Sequence, residues 1–455
     1  MTTASEALAQ WSVGFRLDDA PLDARNASRK ALFNTVATGI GGVTVDHTRR
    51  ALSLARSDGQ AGPAHVIGEG DALPVSLAGF VNGVVVNALG QEETHVPSGT
   101  HPAETTAPIA LAEAEAVGAT GRDLLEAFIV GLQVSGAVGA MGLVWQGREL
   151  LAQPPSAFGA IGAAAAAAKL RGLDQEQTAH ALELAAMFAA APAESMRQGT
   201  GEYHYLKGMI AVHAHSAVML ALAGAPAATT ALEGPAGFYR IWGNIPSAEL
   251  EAFDVAGDVA SIVAERWVAP ELIFKRYPVN YFNQPFIDSA RVLRERHGID
   301  ASEIRGIRMT LGAHPAKVGG LGTVPFERRS SAMMSTRFGV SCMLARGRVT
   351  LEDTLSPGGD DIRRLCEIAQ VDVDASSDDT VFLEIKTSRG TFGGDMLSEF
   401  NDYRIPMPDI ERIAAPIVAA RLGTSRQEKL FDLLANVESV PSVTELLAAT
   451  TPASA

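Results

Sequence analysis

The longer N-terminal part of the chain follows a helical pattern. Ala, Leu and Gly dominate helix-length segments up to about residue 265, such as "TGRDLLEAFIVGLQVSGAVGAMG" and "LDQEQTAHALELAAMFAAA". The second segment opens with Asp174 and has Gln177 three residues later, a capping-box pattern at a helix N-terminus. The run "FGAIGAAAAAAKLRGL" has too many small side chains for a surface helix, so it predicts a helix buried among other helices.

The hydrophobic period changes after residue 265. The segments "EIRGIRMTL" and "TVFLEIKTS" alternate apolar and polar residues, as half-buried strands do. "PFIDSARVLRERHG" predicts a helix that stops at Gly298, and from "IPMPDIERIAAPIVAARLG" onward the helical pattern returns. The prediction is a mainly α protein in which a large all-helical domain carries a smaller α+β lid domain inserted before the C-terminal helices. The expected boundaries are 1–266, 267–402 and 403–455.

Composition narrows the classes of protein. The 455 residues carry a formal net charge of -15, with 47% hydrophobic and 20% charged residues, so the chain is globular and its acidic surface disfavours nucleic acid. Only Cys342 and Cys366 occur, without a CxxC pair, which disfavours disulfides and a thiolate zinc site. The N-terminus lacks a signal-peptide pattern, and no stretch has the uninterrupted apolar character of a membrane span. We therefore expect a cytoplasmic protein with no membrane partner.

Three polar clusters interrupt apolar surroundings. The first is "GQEETHVPSGTHP" at residues 90–102, the second is "GTGEYHYLKGM" between two predicted helices, and the third is "ELIFKRYPVNYFNQP" at the entrance to the inserted domain. Each alone is also compatible with an ordinary solvated loop. Together they supply cations and proton-transfer groups inside an acidic protein, and such a pocket suits a small anionic substrate.

The histidines do not indicate a metal site. His213 and His215 in "AVHAHSAV" are two residues apart, and on a helix this spacing points the side chains to different faces. Five further histidines occur singly and are expected to be ordinary surface or partly buried imidazoles: His47, His65, His180, His297 and His314. We therefore expect no metal.

The order of several segments resembles the MmgE/PrpD family. These segments are "VNGVVVNALGQEETHVPSGTHP", "APIALAEAEAVGATGRDLLEAFIVGLQV", "QPPSAFGAIGAAAAAAKLRGLD", "LKGMIAVHAHSAVMLALAG" and "FKRYPVN", and the resemblance covers roughly residues 5 to 350. The family includes 2-methylcitrate dehydratase, cis-aconitate decarboxylase and iminodisuccinate epimerase. The resemblance implies a homodimer of helical domains, each with an α+β lid, an active site in the cleft between them, and no metal or organic cofactor.

In the first cluster the match to the family is mixed. Thr94, His101 and Pro102 agree with the family segment that usually resembles "HALDFDDTH...HP". Asn87 stands where a histidine is usual, and Gly90 replaces the first aspartate. Glu92 and Glu93 replace the aspartate pair, and they are expected to orient His101 or Lys275 or to lie at a solvated loop edge.

Elsewhere the chain keeps the lysines and loses other groups. Lys207 resembles the lysine of the "WKG" segment in methylcitrate dehydratases, and Lys275 resembles the "KxYP" lysine. Gln153 and Gln284 stand at positions where the family has histidine, so they can orient a substrate but cannot transfer a proton. Tyr203 stands where decarboxylases and epimerases have a lysine. Phe338 stands where the decarboxylases have a tyrosine.

The family reactions remove a proton or carbon dioxide next to a carboxylate, which requires a base and cations over the developing charge. The predicted catalytic residues are His101, Lys207, Lys275 and Tyr203. The predicted substrate-binding residues are Thr94, Glu93, Gln153, His204, Arg276 and Gln284.

Three functions remain open. The first is a cofactor-independent lyase that dehydrates or decarboxylates a small polycarboxylate, which the Lys207 match favours. The second is an epimerase or isomerase that removes and returns a proton, which the lost histidines favour because no departing hydroxyl then needs an acid. The third is a binding protein with a decayed site, which the persistence of His101 and Lys275 disfavours.

Overall fold

The computed structural model describes residues 2–144, 152–190, 192–198, 200–326, 328–396 and 403–453. It is 63% helical with 9% strand, which confirms the prediction of a mainly α protein. In chain order the helices are α1 Ala4–Gly14, α2 Leu22–Gly42, α3 Asp46–Ser57, α4 Val75–Asn87, α5 Pro102–Ala116, α6 Gly121–Ala140, α7 Pro154–Arg171, α8 Gln175–Phe188, α9 Glu194–Gln198, α10 Tyr203–Leu222, α11 Phe238–Ile241, α12 Ser247–Ala252, α13 Val255–Glu265, α14 Gln284–His297, α15 Ala313–Pro315, α16 Arg329–Met334, α17 Thr336–Arg346, α18 Leu351–Leu355, α19 Asp360–Ile368, α20 Met407–Leu422, α21 Thr424–Ala435 and α22 Val443–Ala449. The strands are β1 Ala64–His65, β2 Ala72–Leu73, β3 Ile304–Gly312, β4 Ala369–Asp374, β5 Val381–Thr387 and β6 Gly390–Asp395.

The chain divides into two compact units. The helical unit comprises residues 1–193, 204–273 and 404–455, and the inserted unit comprises residues 194–203 and 274–403. The observed division falls at 273/274, whereas the sequence pattern placed the boundary at 266/267. The predicted second boundary, at residue 402, lies outside the described residues. The assignment of residues 194–203 to the inserted unit has no counterpart in the prediction.

Helix termini in the helical unit follow their capping residues. Asp174 caps α8 by accepting a hydrogen bond from the Gln177 backbone amide, and the Asp174 amide donates to Gln177 Oε1, so the predicted capping box is confirmed. Thr120 and Asp123 form the same arrangement at the start of α6. These exchanges satisfy backbone donors that a helix cannot pair internally.

Helix α7 is buried, as its small residues predict. Every residue from Ser156 to Ala168 is buried. The approach to α6 is close enough that a Cβ added at Gly162 would lie 2.5 Å from the backbone oxygen of Gly131. Glycine is therefore required at this crossing because any larger residue would push the two helices apart.

The helical unit also contains a short sheet that the sequence did not predict. Strands β1 and β2 form an antiparallel pair of two residues each. The side-chain oxygen of Asn82 on α4 accepts a hydrogen bond from the Ile67 amide, and its nitrogen donates to the His65 backbone oxygen. The expectation of an all-helical domain is thus corrected by one small hairpin fixed to α4.

The inserted unit is built on a four-stranded sheet in the order β4-β3-β5-β6. Strand β3 pairs with β4 in parallel and with β5 antiparallel, and β5 pairs with β6 antiparallel. Val381, Leu383 and Ile385 are buried on one face of β5, as their alternation predicts. Helix α14 ends at Gly298, which adopts the left-handed conformation with φ of 56°, so its predicted stop is confirmed.

Two helices, α6 and α10, are long and apolar enough to cross a bilayer by length and composition alone, which the sequence pattern had not indicated. In α6, 83% of the apolar window is buried inside the protein, as in the core helix of a folded domain. In α10 only 44% of the window is buried, and Met219, Leu220 and Leu222 near its end are 37%, 43% and 42% exposed. Helix α10 therefore ends in several exposed apolar side chains.

Candidate active site

The first polar cluster is a buried loop between α4 and α5. The Thr94 amide donates to the Ile273 backbone oxygen at 2.9 Å, and the His95 amide donates to the Thr100 backbone oxygen at 2.9 Å. Glu93, Thr94 and His95 are each at most 4% exposed. The loop is therefore part of the protein interior, and the solvated-edge alternative does not apply to Glu93.

One part of this loop is structural. His95 Nδ1 lies 2.7 Å from Ser98 Oγ, and its Nε2 lies 3.0 Å from Glu271 Oε2. Arg266 also donates to Glu271 through two bonds of 2.7 Å. Burial alone would raise the pKa of Glu271, but the hydrogen bonds from His95 and Arg266 outweigh it and hold that pKa at about 2. These contacts fix the loop and leave His95 outside the predicted chemistry.

Glu93 binds the N-terminal turn of α5. Its Oε1 accepts from the Ala103 amide at 2.7 Å and from the Glu104 amide at 3.3 Å, so it satisfies helix donors that lack a partner within the helix. Its Oε2 is buried and has no hydrogen-bond partner among the described residues. Burial, reinforced by the nearby Glu104, raises the pKa of Glu93 to about 7. The side chain can therefore hold a proton up to near-neutral pH.

His101 lies at the N-cap position of α5. Its Nδ1 is 2.6 Å from the backbone oxygen of Glu93 and 3.3 Å from Thr94 Oγ1. Because a carbonyl oxygen only accepts, Nδ1 carries the hydrogen, and in the neutral ring Nε2 is the proton acceptor. Nε2 lies 3.9 Å from Glu92 Oε1, a group that would stabilise the ring after it gains a proton. The expected orientation of His101 by the glutamate pair thus has a structural basis, in which Glu93 acts through its backbone.

The second cluster lies on a helix and not in a loop between helices. Helix α10 begins at Tyr203, which corrects the sequence-based placement. His204 and Lys207 are three residues apart on it and are 3% and 4% exposed. The glycine-rich segment before Tyr203 predicts a turn. The polar residues that follow it lie on the helix and not in the turn. The two side chains are consequently on one face of a rigid element.

A buried polar chain connects these two side chains. Lys207 Nζ lies 3.1 Å from Glu104 Oε2, and the other oxygen of Glu104 accepts a hydrogen bond from the side-chain nitrogen of Asn87. The side-chain oxygen of Asn87 meets Nδ1 of His204. His47 stacks on His204, with ring centroids 3.8 Å apart and ring planes 11° apart. We refer to these five residues as the relay cluster.

Three members of the relay cluster were not predicted as site residues. His47 was assigned as an ordinary histidine, Asn87 only as a departure from the family pattern, and Glu104 was not singled out. An acidic residue at the third position of α5 has a plain structural explanation as a helix N-terminal charge. The one available signal was the charge of Glu104 within an apolar segment that folds as a buried helix.

Two glycines allow α4 and α10 to approach each other at the relay cluster. A Cβ added at Gly83 would lie 2.5 Å from the backbone oxygen of Lys207, and one added at Gly208 would lie 2.5 Å from the backbone oxygen of Phe80. With side chains at these positions the helices would separate, and Asn87 could not reach His204.

In the inserted unit, Lys275 is 4% exposed and precedes an ion-paired arginine. Arg276 donates to Asp288 at 3.1 Å, and the hydroxyls of Tyr277 and Tyr403 donate to the same carboxylate at 2.9 and 3.1 Å. Burial, with the Asp288 charge, raises the pKa of both tyrosines. Arg276 is thus already paired with an acid, which supports a positioning role for it more than direct substrate binding.

Gln284 shapes the same segment. Its Oε1 accepts from the backbone amides of Arg276 and Tyr277 at 2.9 and 3.1 Å, and its Nε2 donates to the backbone oxygens of Tyr277 and Val279 at 3.0 and 3.3 Å. Both ends of the amide are therefore used for the loop that follows Lys275. Substrate binding by Gln284 stays a prediction, whereas its support of this loop is visible.

The other predicted residues are distributed as follows. Gln153 lies at the N-cap position of α7, is 2% exposed, and accepts from Ser156 Oγ at 3.4 Å. Tyr203 belongs to the inserted unit and is partly exposed.

Within the helical unit, the structure brings together Glu93, Thr94, His101 and the relay cluster. Among the described residues, no group of three His, Cys, Asp or Glu side chains could hold a metal ion.

Two family models match this chain. The MmgE/PrpD N-terminal domain matches residues 6–251, and the MmgE/PrpD C-terminal domain matches residues 277–406. These matches together cover most of the sequence, and the chain belongs to the MmgE/PrpD family.

Several curated proteins are similar to the chain. Cis-aconitate decarboxylase of Homo sapiens is 29% identical over 275 residues, which covers 59% of this chain and 55% of that protein. Cis-aconitate decarboxylase of Mus musculus is 28% identical over 308 residues, covering 59% and 62%. The cis-aconitate decarboxylase-like protein oryM of Aspergillus oryzae is 27% identical over 188 residues, covering 39% and 38%. The matched stretch thus spans less than two thirds of each relative.

Proposed function

We propose that this protein is a cofactor-independent lyase that dehydrates or decarboxylates a small polycarboxylate next to one of its carboxylates. The observation that carries the proposal is the cluster of ionisable groups in the helical unit, where Glu93, Glu104 and Lys207 are each at most 4% exposed. Burying charges costs several kcal/mol per ion, so structural cores rarely keep such groups. Ionisable groups with perturbed pKa values concentrate at active sites.

The arrangement assigns roles within the helical unit. His101 is the proposed base because its Nδ1–H donates to a backbone carbonyl, which makes Nε2 the proton acceptor. Glu93 is the proposed acid because its neutral form persists to a pH of about 7. Lys207 has its charge balanced by Glu104, so it contributes a hydrogen-bond donor more than a net positive charge.

In the inserted unit, Lys275 is the residue with a role in turnover. The support is its match to the family lysine and its almost complete burial. Gln284 and Asp288 give this lysine a rigid setting, since they bind the backbone and side chains of the two residues that follow it. Rigid support of this kind is typical of residues that must keep a fixed position during a reaction.

Decarboxylation is the first of the two lyase reactions to test. The three curated relatives carry cis-aconitate decarboxylase in their names. In such a reaction the bond to the leaving carboxylate breaks, carbon dioxide departs, and the carbon that keeps the electron pair accepts a proton. A neutral Glu93 carboxyl is chemically suited to supply that proton.

An epimerase or isomerase is the second candidate. Gln153 and Gln284 occupy positions where histidines are usual in the family, and amides cannot protonate a departing hydroxyl. Removal and return of a proton at one carbon needs no leaving group. The base assigned to His101 serves equally in that reaction.

Proton NMR in deuterium oxide distinguishes these reactions. The purified protein is incubated with citrate, methylcitrate, cis-aconitate, iminodisuccinate and malate-type acids. New vinylic signals or released carbon dioxide would support a lyase, whereas deuterium exchange next to a carboxylate without a new alkene would support an epimerase or isomerase. No change with any acid would count against both and favour a non-catalytic binding protein.

A pair of double variants tests whether the buried cluster is responsible. Lys207→Met with Glu104→Gln removes one buried ion pair without leaving an unpaired charge, and we expect turnover to be lost while the fold remains. The control is Arg171→Met with Glu113→Gln, because Arg171 Nε on α7 donates at 2.7 Å to Glu113, which lies on α5 as Glu104 does. Equal loss of activity in both double variants would contradict the assignment.

We also propose that the protein forms a homodimer in the cytoplasm. The exposed apolar residues Met219, Leu220 and Leu222 on α10 support a protein partner, because exposed apolar patches commonly mark interfaces. Light scattering after size exclusion should give twice the chain mass of 47.7 kDa. A monomer at micromolar concentration would contradict this part of the proposal.

A further inference from the structure

The relay cluster has a hydrogen-bond direction that its chemistry determines. Glu104 is ion-paired with Lys207 at 3.1 Å and, as a carboxylate, can only accept hydrogen bonds. Asn87 contacts the other oxygen of Glu104, so it must present its NH₂ group there. Its carbonyl oxygen consequently points the other way, toward Nδ1 of His204. The reverse orientation of the amide would place two oxygens in contact.

An amide oxygen only accepts, so Nδ1 of His204 must carry a hydrogen. We propose that Asn87, held by the Lys207–Glu104 pair, locks His204 in the Nδ1–H tautomer and makes Nε2 the proton-accepting nitrogen of the neutral ring. Asn87 is then a positioning residue, since it acts through His204 and by itself transfers no proton. The tautomer lock requires nothing beyond these contacts, whereas a use for Nε2 in turnover rests on the proposed function.

The surroundings of His204 limit its freedom further. His47 on α3 lies parallel to the imidazole at 3.8 Å and fixes the plane of the ring. Two stacked imidazoles repel each other when both are charged, so the pair favours at most one positive charge. Glu104 on α5 and Lys207 on α10 are the charged groups of the chain that leads to His204, and they are paired with each other. His204 is therefore a ring whose plane and hydrogen position are both set.

This arrangement gives the helical unit two imidazoles prepared in the same way. His101 donates from Nδ1 to the Glu93 backbone oxygen, and His204 donates from Nδ1 to Asn87. Two oriented bases would be needed to remove a proton and to return it from another direction. The sequence placed His204 among the substrate-binding residues, and the hydrogen-bond direction gives it a more specific task.

Ring-nitrogen NMR tests the lock without any substrate. The full-length protein is labelled with ¹⁵N-histidine, and multiple-bond ¹H–¹⁵N correlation at pH 8.5 shows which ring nitrogen carries hydrogen; the His204 signals are assigned by their loss in His204→Gln. We expect a protonated Nδ1 and an unprotonated Nε2 in the wild-type protein. A wild-type His204 with its hydrogen on Nε2 would overturn the proposal, whatever the variants do.

Two asparagine variants on the same helix complete the test. Asn87→Ala removes the acceptor, so the hydrogen should move from Nδ1 toward Nε2. Asn82→Ala is the matched control, because Asn82 is equally buried on α4 but binds Ile67 and His65. If Asn87→Ala leaves the His204 pattern unchanged, or if Asn82→Ala changes it equally, the lock does not depend on Asn87.

Kinetics then address the use of the lock. With an acid that the wild-type protein turns over, Asn87→Ala should lower kcat by roughly 10- to 100-fold with little change in KM, as loss of a positioning partner does. A rise in KM alone would contradict a role in proton transfer. If no acid in the panel is turned over, the proposed function fails, while the ring-nitrogen signals still decide whether the lock exists.

Discussion

Lys207 Nζ lies 3.1 Å from Glu104 Oε2, and both side chains are at most 4% exposed. The charge of the lysine is therefore balanced by a carboxylate of the same chain. Glu93 adds a second carboxyl nearby, and a buried region with two carboxylates and one ammonium carries an uncompensated negative charge. The raised pKa of Glu93 relieves this imbalance, because the carboxyl keeps its proton to a pH of about 7.

The first prediction concerns the contribution of the Lys207–Glu104 ion pair to stability. Glu104→Gln leaves the Lys207 ammonium buried without a counter-charge and should lower the free energy of unfolding by about 3–5 kcal/mol. The double variant with Lys207→Met should be less destabilised than this single variant, because no unpaired charge remains. Urea unfolding followed by circular dichroism gives both values. A single variant as stable as the wild type would show that the pair is solvated or unimportant.

The second prediction concerns the effect of Glu93 on how stability depends on pH. Its pKa is raised from 4.5 to about 7 in the folded protein, so the folded state holds the proton that the unfolded state releases between these values. The contribution of Glu93 to the free energy of unfolding therefore falls by roughly 3 kcal/mol in total as pH rises from 4.5 to 7. Above pH 7 it stays low.

The substitution Glu93→Gln isolates this effect. A glutamine retains an oxygen for the Ala103 and Glu104 amides but has no ionisation. Relative to the wild type, the variant should become more stable as pH increases from 4.5 to 8, measured by urea unfolding at each pH. Glu113→Gln is the control, since it breaks contacts with Arg171 and His215 and should destabilise at pH 8. A pH-independent difference for Glu93→Gln would mean that Glu93 ionises normally.

The sequence predicted those features whose causes are local. Asp174 and Gln177 are three residues apart, so a capping box is visible directly in the sequence. The alternation of Val381, Leu383 and Ile385 likewise encodes which face of β5 is buried. Such patterns need no knowledge of distant contacts, because the period of the element determines which side chains share a face.

The relay cluster lacked such a local cause. His47 and His204 are far apart in the sequence, and their stacking depends on the packing of α3, α4 and α10. Asn87 and Glu104 lie on two different helices, so their hydrogen bond also follows from tertiary structure. The sequence did not predict that α10 begins at Tyr203, because the glycines before this residue indicate a turn. Residue types alone could therefore mark His101 and Lys207 but not the groups that orient and neutralise them.

The next prediction concerns Gly83, where α4 closely approaches α10. Gly83→Ala would place a methyl group 2.5 Å from the Lys207 backbone oxygen, so one helix must shift. We expect a loss of about 1–3 kcal/mol in stability and a loss of the His204 Nδ1–H signal, because Asn87 moves out of reach. Gly118→Ala on the helical unit is unsuitable as a control because Gly118 has a positive φ.

Gly14→Ala is the better comparison for Gly83→Ala. Gly14 ends α1 and has no neighbouring atom within 4 Å of an added Cβ, so the change should have little effect on stability. If Gly83→Ala behaves like Gly14→Ala in unfolding and in the ring-nitrogen spectrum, the close helix contact does not position Asn87.

The final prediction concerns turnover and applies to both units. His101→Ala removes the proposed base, and Lys275→Ala removes the lysine that resembles the family residue, so each should lower kcat/KM by about 100-fold or more while the circular dichroism spectrum is retained. His180→Ala and Lys317→Ala are controls of the same residue types. His180 contacts Glu183 on α8, and Lys317 is exposed, so neither belongs to the proposed machinery. Near-normal kcat/KM in either His101→Ala or Lys275→Ala would remove that residue from the active site, and a loss in the controls would point to general damage to the fold.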